Sequence, residues 1–137
     1  MNTPKQTLTL RLHPEDLAVC RLPADAPLPL GMAETAWVSI TRTRDELSIV
    51  CAQQDAPPTA QTEFGWRMLE VVGPLPFEMI GVLAGLSETL AQAEISIFAI
   101  STYDTDYLLL KRDDLFAGVR ALQENGYRVI KLSGKTE

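Results

Sequence analysis

Apolar and polar positions change period several times along this chain, and each change marks an element. Leu8-Thr-Leu-Arg-Leu12 alternates strictly, which predicts a half-buried strand ending at His13-Pro14. Leu17 to Leu22 is a second short apolar run, stopped by Pro23. Pro27 and Pro29 then leave room for at most one helical turn between Ala24 and Gly31. Trp37 to Thr43 and Glu46 to Cys51 read as a hairpin around Arg44-Asp45, and Gln53 to Thr62, with Pro57-Pro58, reads as a linker. Beyond it, Gly65 to Gly73 is a strand. Phe77 to Ala93 has apolar residues at helical spacing and predicts the main helix, with Gly81 and Gly85 as a flat stripe for close packing on a sheet.

The stretch from Glu94 to Leu115 organises the rest. Ile95 to Ile100 is β-branched or aromatic at most positions and Tyr107 to Leu110 is continuously apolar, so both flanks predict strands. Between them, Ser101-Thr102-Tyr103-Asp104-Thr105-Asp106 is more polar than a plain solvent turn requires. Asp113-Asp114 supply an N-cap for a second helix, whose buried face is Leu115, Val119 and Leu122 and whose C′ residue is Gly126. Tyr127 to Leu132 is the last strand. From Trp66 onward the predicted order is therefore β-α-β-β-α-β. Shifting the sequence by 60 residues lays Leu8–Leu12 on Met68–Val72, Pro14 on Pro74, Ala33-Glu34 on Ala93-Glu94 and Ile40 on Ile100, an offset that suggests an internal repeat.

Composition narrows the function. A chain of 137 residues, 46% hydrophobic and 22% charged, is long enough to bury roughly two-thirds of its unfolded surface as one domain or two small ones. The net charge of −6 argues against binding a phosphate backbone, so nucleic acid is not expected as a partner. No apolar stretch is long enough to span a membrane, and the first residues lack an apolar signal-peptide core, which makes the cytoplasm the expected location. Cys20 and Cys51 sit in apolar strands without CxxC spacing and read as buried thiols. His13 is the single histidine, so neither a His metal cluster nor a nucleophile-base dyad is visible; no metal, no cofactor and no catalytic activity are expected.

The polar string Ser101 to Tyr107, with the apolar strand after it and Asp113-Asp114-Leu115, resembles the signature of the ACT-domain subfamily that includes the CASTOR arginine sensors. Trp37 to Thr43 with Glu46-Leu47 resembles the hairpin of the preceding ACT-like half in those proteins. The resemblance implies an α+β fold: a complete ferredoxin-like βαββαβ ACT domain over residues 61–137, with antiparallel strands and helices on one face, preceded by an eroded ACT-like unit over residues 1–60. It also implies an amino-acid-binding regulatory protein, with Ser96 between Ile95 and Ile97 holding the ligand. The string itself, with Ser101, Thr102, Tyr103 and Thr105, would lie at an interface between ACT units. Those sensors carry two pairs of units where this chain has one, so a site shared between pairs implies a homodimer.

Read without the family, the same region suits a small zwitterion. The helix start after Gly73-Pro74-Leu75-Pro76 would expose unpaired N–H groups around Leu75, Pro76 and Phe77 to a carboxylate, and Asp104 and Asp106 could accept from an ammonium or a basic side chain. Self-capping of the hairpin is an equal alternative for both aspartates. At the level of function, a ligand-free dimerisation or adaptor module is the alternative to a sensor.

Overall fold

The computed structural model describes residues 8–76 and 79–133. Its secondary structure divides into two compact units. One comprises residues 15–66; the other is discontinuous and joins residues 1–14 to residues 67–137. The inner division thus falls at 66/67, and the first strand, expected in the N-terminal unit, belongs with the C-terminal one.

In the discontinuous unit the strands are β1 (Thr9–Leu12), the second half of β5 (Gln61–Val71), β6 (Ile97–Ser101), β7 (Asp106–Lys111) and β8 (Arg128–Lys131); the helices are α1 (Val82–Gln92) and α2 (Leu115–Glu124). From β5 onward this is the expected β-α-β-β-α-β order. β6 pairs antiparallel with β7, β7 with β5, and β5 antiparallel with β1. β1 also pairs parallel with β8, in register Leu10 with Val129, so the N-terminal strand lies between the first and last strands of the βαββαβ run. Its alternation explains the placement: Leu10 and Leu12 are buried with Leu69, Val71, Leu108 and Leu110 against Leu86, Leu90 and Leu122 of the two helices. One face of the sheet thereby carries both helices.

Glycine marks the close approaches. A Cβ on Gly118 of α2 would come within 2.4 Å of Leu110 Cδ2, so the helix rides directly on β7. One on Gly85 of α1 would meet the Tyr127 hydroxyl at 2.8 Å. Gly81, expected inside the helix, is instead its N-cap at φ 86°, a left-handed conformation glycine adopts without a Cβ clash. The main helix therefore starts at Val82 rather than at Phe77, which lies outside the described residues. Asp114 does occupy the N-cap of α2, but without a side-chain bond; a single 3-10 turn, Arg112–Asp114, leads into the helix instead.

The inserted unit contains β2 (Leu17–Leu22), β3 (Val38–Arg42), β4 (Leu47–Ala52) and the first half of β5, all antiparallel in the order β3-β4-β2-β5. Gln61 and Thr62, expected in a linker, already pair with Arg21 and Cys20. No α-helix occurs here among the described residues. Ala18, Cys20, Leu22, Leu47, Ile49 and Cys51 pack instead with Met32, which lies in a single 3-10 turn, and with Ala26, Ala56 and Ala60. Prolines at 23, 27 and 29 account for the missing helix, since each removes a donor.

Candidate functional site

The hairpin between β6 and β7 is held by four local hydrogen bonds and tied to the rest of its unit by two more. Thr102 N–H donates to the Thr105 carbonyl at 2.8 Å, the Thr102 hydroxyl donates to that carbonyl at 3.1 Å, and Thr105 N–H donates back to the Thr102 hydroxyl at 3.3 Å. At the mouth, the Ser101 hydroxyl donates to Asp106 Oδ1 at 2.6 Å, across a register pair of the two strands. The anchors are the Thr105 hydroxyl, which donates to the Val71 carbonyl at 2.7 Å, and Leu75 N–H, which donates to the Asp104 carbonyl at 2.7 Å. Gly73 makes this docking possible, because a Cβ there would sit 3.0 Å from Leu75 N and 3.1 Å from the Asp104 carbonyl.

Docking the hairpin on the segment after β5 encloses a cleft of about 300 Å³, lined by Leu75, Pro76, Met79, Val82 and the hairpin residues 101–106. One wall is apolar and the other polar. Val82 is the first residue of α1, whose N-terminus has no side-chain cap, so the helix end with unpaired N–H groups borders the cleft. The Asp104 carboxylate is exposed and has no partner among the described residues, whereas that of Asp106 is engaged by Ser101. The two aspartates thus separate: self-capping describes Asp106, and Asp104 keeps its acceptor capacity.

The residues expected at the site fall into three groups. Leu75, Pro76, Asp104 and Asp106 meet at the cleft, together with Ser101, Thr102, Tyr103 and Thr105. Thr105 is only 6% exposed, however, and its hydroxyl is spent on Val71, so it braces the hairpin rather than presenting an interface surface. Ser96, Ile95 and Ile97 do not reach this cleft. They stand at the opposite end of β6, about 16 Å from Ser101 at strand rise, with Ile95 in the apolar core, Ile97 packed on it and Ser96 exposed. Met79 and Val82 were not expected as lining residues. The signal was Gly81, whose left-handed turn separates Met79 from the helix.

Two further polar groupings lie elsewhere. His13, expected as a plain turn residue, bonds through Nε2 to Glu70 Oε1 at 2.7 Å, with Arg11 at 3.6 Å from the same carboxylate. Cys20 and Cys51 are free and buried on neighbouring strands; burial first, then the adjacent Cys20, pushes the Cys51 thiol up to about 12. Among the described residues no cluster of ligating side chains could hold a metal ion, and no helix is long and apolar enough to cross a membrane.

A βαββαβ unit with both helices on one face of its sheet defines the class of ferredoxin-like α+β folds. The family model for the ACT domain matches residues 61–124, so that stretch of the chain carries an ACT domain. A second model, for an N-terminal domain, matches residues 15–59, which fall within the inserted unit. Among curated relatives, the human cytosolic arginine sensor for mTORC1 subunit 1 is 37% identical over 59 residues, 42% of this chain but only 18% of that protein. Among solved structures, an Agobacterium tumefaciens protein is 29% identical with a TM-score of 0.89, covering 97% of this chain and 99% of its own. The aspartate kinase of Synechocystis shares the fold at 13% identity and a TM-score of 0.66, over 94% of this chain and 28% of the enzyme.

Proposed function

We propose that this chain is a cytoplasmic regulatory module that binds an amino acid in the hairpin cleft and performs no reaction on it. The observation that carries this reading is the cleft itself: about 300 Å³, with a helix N-terminus that has no side-chain cap on one side and, on the other, the Asp104 carboxylate, which has no partner among the described residues. A free amino acid needs N–H donors for its carboxylate and an acceptor for its ammonium, and those two features supply one each. The likeness to an arginine sensor supports the same ligand class. A homodimer, with Ser96 contributing from a second copy, belongs to this reading, as do Ser101, Thr102 and Tyr103 near the contact between copies.

Calorimetric titration with the proteinogenic amino acids tests it. At least one is expected to bind, and Asp104→Asn is expected to weaken it by ~1.5–3 kcal/mol, about 10- to 150-fold, because the charge-assisted bond to its ammonium is lost. Asp106→Asn is expected to change binding less, since Ser101 already occupies that carboxylate. Absence of heat with every amino acid would replace the sensor by an adaptor module.

A further inference from the structure

In the discontinuous unit two helices cover the apolar side of the sheet, whereas in the inserted unit that side is covered only by a 3-10 turn and alanine-bearing loops. This thin cover leaves an open groove of about 510 Å³, larger than the hairpin cleft of the other unit. Four of its lining residues, Leu22, Ala26, Met32 and Ala56, belong to the apolar core or pack on it. Its walls are residues 27–30 and 57–59, with prolines at 27, 29, 57 and 58. Met32 N–H donates to the Pro29 carbonyl at 3.3 Å and Ala60 N–H to the Pro57 carbonyl at 3.1 Å. Fixed φ angles and closed turns make the groove preformed, which lowers the ordering cost of filling it. Its rim is apolar and acidic. Leu30 is 102% exposed and Leu28 44%. Asp55 lines the groove and Asp25 adjoins Ala26; neither exposed carboxylate has a hydrogen-bond or ion-pair partner among the described residues. Arg42 donates to the neighbouring Ala24 carbonyl rather than to Asp25.

We infer that this groove takes an amphipathic helix of a partner protein, with the apolar face of the helix on the groove and its flanking basic residues against Asp25 and Asp55. The walls select a helix over a strand. Proline has no N–H, so a strand could not add by backbone pairing at positions 27, 29, 57 and 58, whereas a helix satisfies its own backbone and needs only side-chain contact. Charge selects the sign of the partner. A second copy of this chain seated here would set the same two carboxylates against each other, with a net −6 on each copy, while a basic helix pairs with them. Leu28 and Leu30 then pass from solvent into contact with the apolar face of the helix.

The test titrates the full chain into a fluorescein-labelled synthetic peptide of about 18 residues, long enough to form a helix, with leucines at helical spacing on one face and lysines beside them. Fluorescence anisotropy is expected to show saturable binding, and little with peptides whose lysines are replaced by glutamate or whose leucines are replaced by serine. Leu30→Ser is expected to weaken binding about 10-fold or more through lost burial, and Asp25→Asn with Asp55→Asn about 2- to 30-fold together. Glu88→Gln with Glu124→Gln removes the same charge from exposed positions on the helices of the other unit and is expected to leave binding unchanged. Circular dichroism checks each fold, and Leu28→Ser decides the matter should Leu30→Ser misfold. Equal binding of the lysine and glutamate peptides, equal loss in the two charge variants, or wild-type affinity in Leu30→Ser would overturn the proposal. So would a light-scattering mass that halves in Leu30→Ser, because the groove would then hold a second copy.

Discussion

Thr105→Val isolates the bond that sets the cleft wall. Its hydroxyl, 6% exposed, donates at 2.7 Å to the carbonyl of Val71, the last residue of β5. Valine replaces the hydroxyl with a methyl of similar volume, so neither a cavity nor a clash is created and the lost bond dominates. Removing the donor costs the net bond, about 1 kcal/mol, and strands a carbonyl in a dry site, for a total of ~1–3 kcal/mol. At roughly 4 °C per kcal/mol for a chain of this length, the midpoint should fall by about 4–12 °C. Thr105→Ser keeps the donor and loses one methyl group, about 0.8 kcal/mol, and so should sit between the two. Thermal denaturation of the three proteins, with calorimetry for any bound amino acid, reads both effects. The turn bonds made by the Thr105 backbone survive, so ligand affinity should fall through displacement of the hairpin rather than its loss. A valine variant within about 1 °C of wild type, or a serine variant less stable than the valine one, would refute the role given to this bond.

Two other perturbations follow from the packing. Gly85→Ala gains about 1 kcal/mol in helix propensity, yet its Cβ would meet the Tyr127 hydroxyl at 2.8 Å. Combining it with Tyr127→Phe removes the obstacle, so a denaturant double-mutant cycle should show ~1–3 kcal/mol of coupling; additive values would mean the helix shifts freely. The Cys51 thiol is raised from 9.0 to about 12, and burial raises Tyr127 as well. The folded state holds these protons more tightly than the unfolded chain does. The stability they contribute is therefore complete below pH 9 and is lost as pH rises towards 12, a slope in urea midpoints that Cys51→Ala should reduce. An unchanged slope would count against the thiol.

Local pattern was enough to read the βαββαβ order, because each element carries its own period: alternation in Leu8–Leu12, helical spacing through Leu86 and Leu90, and continuous burial in Leu108–Leu110. What it could not supply was partnership between distant segments. Leu8–Leu12 looks the same whether it pairs within the first unit or with β5 and β8 of the second, and only the shared core with Leu69, Val71 and Leu122 distinguishes the two. The 60-residue offset was silent about which elements share a unit. A similar ambiguity applied to the polar hairpin, whose richness in hydroxyls and carboxylates marked the cleft but not the division of labour within it. Thr105 and Asp104 are adjacent and both polar. One faces the end of β5 and spends its hydroxyl on Val71, while the other leaves its carboxylate available, because successive residues at a turn point to different sides. The same distinction applies along β6. Ile95 and Ile97 contribute to the core as apolar strand residues commonly do, while Ser96 between them is exposed and stands away from the hairpin cleft.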